Sequence, residues 1–281
     1  MSAVAALLLM TLAAAAGGGA PGTSAASSAA EMVGQGRLVV REVFVTVNGA
    51  RVRALCVGGD PEVLILHGAG TAAESWRPVL TRLDGSVSAC VYDRRGSGAS
   101  DAAPPERGWY ELLDEMRRIH VELGARPGTV LVGQGLGGLY ARLYALDRSA
   151  DVGGLVLVDP DHERMLDRIR HAIPREAWRA GEDARATPNA DGVVEVDLTD
   201  RVRGRRMPDL PVTVLTATVR EGGPGWDLRF VNEAAHRLHA EILQGIPLAR
   251  HVPAARSGPE IHVDDPRLVA DEIVRVVRSR R

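Results

Sequence analysis

One stretch constrains the fold more than any other: Thr129-Val130-Leu131-Val132-Gly133-Gln134-Gly135-Leu136-Gly137-Gly138-Leu139-Tyr140. Val130 to Val132 form a short apolar run of the kind a central parallel strand needs. Leu139, Leu143 and Leu146 then recur at helical spacing from a glycine-dense start. The order is strand, sharp turn, helix. Two chemistries use glycines this way. One is a strained turn that lifts a nucleophile, G-x-S-x-G, with an oxyanion donor at the next backbone N–H. The other is a phosphate cradle, G-x-G-x-x-G, which Gly133, Gly135 and Gly138 also spell, with Asp159 about twenty residues on. Alone, the stretch supports both.

The rest of the chain supplies context. Arg37 to Val47 alternates and ends at Asn48-Gly49, a two-residue hairpin signal, before Arg51 to Val57 returns. Buried strands are predicted at Val63 to Leu66, Val87 to Tyr92, Gly154 to Val158, Pro211 to Ala217 and Leu248 to Pro253. Helices are predicted at Trp109 to Leu123, Val231 to Leu243 and Pro266 to Arg278, with an Arg-rich helical insertion near Glu163 to Arg179. Strands alternating with helices imply an α/β fold with a doubly wound, mostly parallel sheet, whose ligand site lies beyond the strand C-terminal ends.

Composition narrows the chemistry. At 281 residues and 45% apolar, the chain can bury one large core. A formal net charge of −2 provides no field for nucleic acid or an anionic membrane. All 34 basic residues are arginine, which excludes a lysine Schiff base and a P-loop lysine. Cys56 and Cys90 lack metal or C-x-x-C spacing and are expected as buried free thiols, a bridge being conceivable if their strands are neighbours. No metal or cofactor is called for, and the expected partner is a small-molecule ligand. Residues 1–16 are an Ala/Leu run too short to span a bilayer, and residues 17–30 a Gly/Ala/Ser/Pro tract. This N-terminus fits a secretory signal, although no Lys or Arg precedes the apolar run; a plain Ala-rich extension is the alternative.

Order along the chain decides between the two chemistries. From about Glu42 to Val277 the sequence resembles the α/β-hydrolase superfamily. His67-Gly68-Ala69-Gly70 follows the third strand and Tyr92-Asp93-Arg94-Arg95-Gly96-Ser97-Gly98 the fourth. The glycine turn follows the fifth, and Leu155-Val156-Leu157-Val158-Asp159-Pro160 marks the sixth. Ser257-Gly258-Pro259-Glu260-Ile261-His262 resembles the loop that carries the catalytic histidine. The resemblance implies an eight-stranded sheet with a short helical cap, inserted at about 161–207, and a domain spanning 31–281.

The departures from that family govern the functional expectation. Gly135 stands where the resemblance places the nucleophilic serine, and Pro259 where it places the histidine base. Glycine cannot be acylated, and proline cannot accept a proton. The oxyanion-hole donors, the N–H groups of Ala69 and Leu136, need no side chain and are expected to persist, with His67 and Gly68 shaping their loop and Gln134 lining the pocket. Asp159 matches an acid position used by some members, and a strand-end Asp also serves as a turn cap. His262 matches the second histidine of its loop, usually structural. His162 is a further candidate beside the same strand end. Asp93, Arg94 and Arg95 are expected to brace their turn. Three readings follow: a repurposed enzyme (cyclase, isomerase or lyase) acting on a carbonyl-bearing apolar molecule, a non-catalytic binder, or a hydrolase with a relocated set such as Asp159 and His262.

Overall fold

The computed structural model describes residues 40–280; the proposed N-terminal signal lies outside them. The hairpin reading holds. β1 (Arg41–Val47) and β2 (Ala50–Val57) pair antiparallel around Asn48 and Gly49, both at positive φ. Six further strands follow: β3 (Val63–Leu66), β4 (Ala89–Tyr92), β5 (Thr129–Gln134), β6 (Val152–Val158), β7 (Val212–Ala217) and β8 (Ala249–Ala254). They form one sheet in the order β1-β2-β4-β3-β5-β6-β7-β8. β2 runs antiparallel to both its neighbours, and all pairs from β4 to β8 are parallel.

Helices cover both faces. α1 (Arg77–Leu83) follows a single 3₁₀ turn at Ala73–Trp76. After it come α2 (Trp109–Glu122) and α3 (Leu136–Asp147), then α4 (Met165–Ile169), α5 (Arg175–Arg185) and α6 (Glu195–Val202). α7 (Leu228–Ile242), α8 (Ile261–Asp264) and α9 (Pro266–Ser279) complete the chain. Strand side chains alternate between two cores. Leu64, Leu66, Leu131, Leu155 and Leu157 face α2 and α3, whereas Val63, Ile65, Val130, Val132 and Val156 face α1 and α9. β3, β4 and β5 are buried throughout, which is why they read as continuous apolar runs.

Between β6 and β7, α4, α5 and α6 form a helical cap. Its apolar residues Leu166, Ile169, Ala172 and Ile173 pack on Val231 and Ala234 of α7. Ile169 and Ile173 thus form the inner face of this small third core.

The cysteines are corrected by topology. Cys56 lies directly opposite Cys90 in the β2–β4 register, with Cα atoms 4.1 Å apart, and the two form a disulfide. β4 pairs with β2 across the edge of the sheet while β3 inserts elsewhere, an order that strand sequence does not reveal.

Candidate functional site

β5 delivers the chain to Gly135 at φ +52°, ψ −120°, and α3 begins at the next residue. Neighbouring glycines are there because nothing larger fits. A Cβ on Gly137 would come within 2.2 Å of the Leu66 carbonyl oxygen, and one on Gly133 within 2.4 Å of the Gly137 oxygen. Gly135 differs. A Cβ there would meet nothing nearer than the Asp161 Oδ1 and the Gly68 Cα, each at 3.9 Å. Space for a side chain exists at the apex; only the positive φ favours glycine.

The loop after β3 wraps this apex. His67 is fully buried, and its Nδ1 lies 2.8 Å from the Gly68 carbonyl. If Nδ1–H donates there, Nε2 accepts from the Arg94 N–H at 3.4 Å and lies 3.1 Å from the Ser97 hydroxyl, which itself donates to the Arg94 carbonyl at 2.7 Å. Burial, aided by the Arg94 charge, holds the ring well below its ordinary pKa and therefore neutral. Arg94 sends its guanidinium to the His67 and Gly68 carbonyls and to Asp191 at 3.0 Å, over the Tyr140 ring. The Tyr140 hydroxyl donates to Asp191 at 2.8 Å. Thus one buried arginine ties the loop, the elbow helix and the cap together. Asp93 accepts from the Ala73 and Ala99 N–H groups, the expected bracing of its turn. The Gln134 side chain lies flat on Gly68, where a Cβ would sit 2.1 Å from its Oε1. The N–H groups of Ala69 and Leu136 make none of the loop and cap hydrogen bonds formed among the described residues, and both flank the apex.

Asp159, at φ +43°, is buried at the end of β6. Its carboxylate accepts from both Arg220 terminal nitrogens, at 3.0 and 2.6 Å, and from the Ala217 N–H at 3.1 Å. Burial works to raise its pKa, but the Arg220 and His239 charges and these hydrogen bonds outweigh it, and the group sits below the ordinary carboxylate value. It is a saturated anion joining β6 to the segment after β7.

Neither histidine reaches the apex. His162 accepts from the Arg164 N–H at 3.1 Å and lies 3.6 Å from Glu163, lining a separate cleft of about 520 Å³ with Arg142 and Met207. Burial pushes its pKa down to about 3. His262 stacks on Trp76 at 4.3 Å between ring centroids, its Nε2 3.1 Å from the Ser75 hydroxyl, and burial lowers it to about 4. Pro259 sits half-buried in the loop between β8 and α8, a loop fixed by the Gly258 N–H donating to Asp264 at 2.7 Å.

Sequence reading missed Asp161. The turn after β6 carries it back across the elbow, where its N–H donates to the Gly135 carbonyl at 2.9 Å. The turn is held from below by His239, whose Nε2 donates to the Pro160 oxygen at 2.9 Å while Nδ1 meets the Thr216 hydroxyl at 2.7 Å. Asp161 is half-buried, and its Oδ2 is shielded with no hydrogen-bond partner. Burial first, then the Glu195 and Asp159 charges, push its carboxyl up to about 8, against the opposing pull of Arg185 and Arg220. Glu195, in the first turn of α6, is ion-paired with Arg185 at 3.0 Å. A second Asp two residues after a strand-end Asp was a visible signal for Asp161; nothing in the sequence marked Glu195 or Arg220.

The arrangement places two backbone N–H groups and the Asp161 carboxyl, its pKa raised chiefly by burial, around the apex. Among the described residues there is no group of His, Cys, Asp or Glu that would hold a metal, and no helix long and apolar enough to cross a membrane.

Comparison with known proteins agrees with this architecture. The profile of the Alpha/beta hydrolase family matches residues 63–275. The chain is 24% identical over 228 residues to the uncharacterized protein YqjL of Bacillus subtilis (strain 168), covering 80% of this chain and 87% of that one. It is 38% identical over 100 residues to the putative carbamate hydrolase RutD of Variovorax paradoxus (strain S110), a match confined to 34% of this chain and 37% of that protein. Among solved structures, the haloalkane dehalogenase DatA of Agrobacterium tumefaciens C58 superposes with a TM-score of 0.61 at 16% identity, covering 85% of this chain and 96% of that one. The elbow, the oxyanion loop and the strand order β1-β2-β4-β3-β5-β6-β7-β8 therefore have one explanation: the chain belongs to the α/β-hydrolase family.

Proposed function

We propose that this protein is a repurposed α/β-hydrolase that binds a carbonyl-bearing apolar small molecule at the elbow and transforms it without an acyl-enzyme, as an isomerase, cyclase or lyase. The observation that carries this reading is Gly135. It sits at the apex at φ +52° with room above it, so the family's nucleophile position is open although space for a serine remains. Pro259 at the histidine position removes the base as well. A triad works as a unit, and its loss in two members fits divergence to another chemistry.

What the site retains is electrostatic. The Ala69 and Leu136 N–H groups point from a fixed loop and from the N-terminus of α3, whose dipole favours a negative oxygen. Donors of this kind stabilise a developing oxyanion by a few kcal/mol, about 2.7–4 for a single donor in other enzymes. With no side chain at 135, a ligand carbonyl sits deeper than an ester would beneath a serine.

A non-catalytic binder is the second reading, favoured by one observation: Asp159, His162 and His262 are all engaged elsewhere. The same geometry speaks against a hydrolase built on Asp159 and His262, since the first is clamped by Arg220 and the second lies against Trp76. The disulfide and the signal-like N-terminus together support export to an oxidising compartment. Fractionation of the native host, with the protein in the extracellular or envelope fraction, is the expected result.

The site reading is tested by binding. A carbonyl ligand drawn from host extract is expected with its oxygen about 3 Å from both N–H groups. Gly135→Leu fills the space and is expected to abolish binding while the thermal midpoint holds. Unchanged binding by that variant would place function elsewhere on the molecule.

A further inference from the structure

The cleft that His162 lines is separate from the elbow and has a charge pattern of its own. It lies between α3, the turn after β6, the segment that leaves α6 and the end of α7. Its volume of about 520 Å³ falls in the range of small-molecule sites. Five arginines line it, Arg142, Arg164, Arg203, Arg205 and Arg206, against two carboxylates, Glu163 and Glu241. His162 adds no charge near pH 7, because burial pushes its pKa down to about 3.

The arginines fall into two groups. Arg142 is paired with Glu163 at 3.0 Å and Arg164 with Glu241. The remaining three come from the run Arg203-Gly204-Arg205-Arg206, where Gly204 at φ +70° turns the chain. Arg205 donates to the Leu146 carbonyl at 2.8 Å and Arg206 to the Gly245 carbonyl. A carbonyl orients a guanidinium without cancelling its charge. Arg203 has only Asp200, exposed and 3.6 Å away. Arg142 supplies a second, independent observation. Its side chain is 4% exposed, and its Nε–H is shielded from solvent with no hydrogen-bond partner among the described residues. A buried donor of this strength ordinarily has an acceptor, and this one belongs to a residue of the cleft wall. The whole chain carries a formal charge of −2, so the concentration of arginine here is local. A second arginine-lined surface, between α1 and α9, lacks these features. There Arg267 faces Asp271 and Arg275 faces Glu272, while Arg82 and Arg278 are exposed.

We propose that this cleft binds a small molecule bearing a diphosphate group, held by the guanidiniums of Arg203, Arg205 and Arg206 and by the buried Arg142 Nε–H. Guanidinium forks match phosphoryl oxygens two at a time. A diphosphate presents such oxygens on two linked centres, with a charge that complements the three arginines lacking a close carboxylate. The site is independent of the elbow reading, although the two share a wall: an Arg142 terminal nitrogen lies 3.5 Å from the carbonyl of Asp161, the residue that borders the apex.

The test is calorimetric titration of full-length protein with inorganic pyrophosphate, orthophosphate, citrate and ADP. One pyrophosphate is expected per chain, bound about 10-fold or more tighter than orthophosphate or citrate, with affinity falling as salt is added. Arg205→Ala with Arg206→Ala is expected to weaken it about 10-fold or more. Arg142→Lys keeps the charge beside Glu163 but removes the Nε donor, and should also lose about 10-fold. Arg82→Ala with Arg278→Ala removes equal charge from the α1–α9 surface and should leave binding unchanged. Thermal midpoints show that each variant is folded; the paired alanine variants alter exposed side chains only. ADP binding tighter than pyrophosphate would assign a nucleoside carrier, and ADP binding no tighter would assign recognition of the diphosphate alone; the site stands in both cases. Absence of pyrophosphate binding, citrate bound as tightly, or equal weakening by the two alanine pairs would overturn it.

Discussion

At the scale of single residues, the structure separates two kinds of glycine that look alike in sequence. Gly133 and Gly137 are required by backbone contacts below 2.5 Å, whereas a Cβ on Gly135 would make only ordinary contacts at 3.9 Å and only its positive φ favours glycine. Gly135→Ser is therefore expected to fold, losing about 1 kcal/mol to the strained backbone. Alone it should leave ester turnover near background, because His262 is stacked on Trp76 and Asp159 is clamped by Arg220. Gly135→Ser combined with Pro259→His is expected to gain weak esterase activity, read with a p-nitrophenyl ester. Strong activity from the single change would mean that a working base already faces the apex. The position of Gly135 was legible because the G-x-G-x-G frame fixes which residue is the apex of the turn. Asp161 was only hinted at, as a second acid after the strand-end Asp159, because the turn that brings residues 135 and 161 together leaves no local pattern of its own.

Among elements, most strands and long helices were readable from periodicity and from apolar runs, the more so because β3, β4 and β5 are buried on both faces. The elements that escaped are short: α1 with its 3₁₀ turn, α6 and α8, each of eight residues or fewer. They are held by tertiary packing, as Trp76, Leu80 and Leu198 show by their complete burial. Pairing across the sheet was equally hidden, and it decides the cysteines. The bridge joins the antiparallel β1–β2 edge to β4, closing a separation of 34 residues. Reduction, or Cys56→Ser with Cys90→Ser, is expected to cost about 2–4 kcal/mol. A thermal midpoint unchanged by reductant, with two free thiols counted after unfolding without it, would show that the bridge does not form.

Over the whole molecule, buried titratable groups set opposing pH dependences. His120 and His162 are lowered to about 3, and His239 and His262 to about 4, in each case first by burial. Between those values and 6.5 the unfolded chain binds protons that the folded one refuses, so stability rises with pH through this window and the gain is complete above it. Asp161 acts in the other direction. Its folded value of about 8 lies above the unfolded 3.8, so the folded state holds the extra proton, and stability falls as pH rises from about 4 through 8. Thermal melts of Asp161→Asn should match wild type near pH 4 and lie above it at pH 8.5; equal midpoints at both would show an ordinary carboxyl at 161. The central claim is that this hydrolase fold works without an acylated serine. Its most direct measurement is exposure of the purified, folded protein to a fluorophosphonate probe followed by intact-mass analysis: the account predicts no adduct, and stoichiometric labelling of any one serine would contradict it.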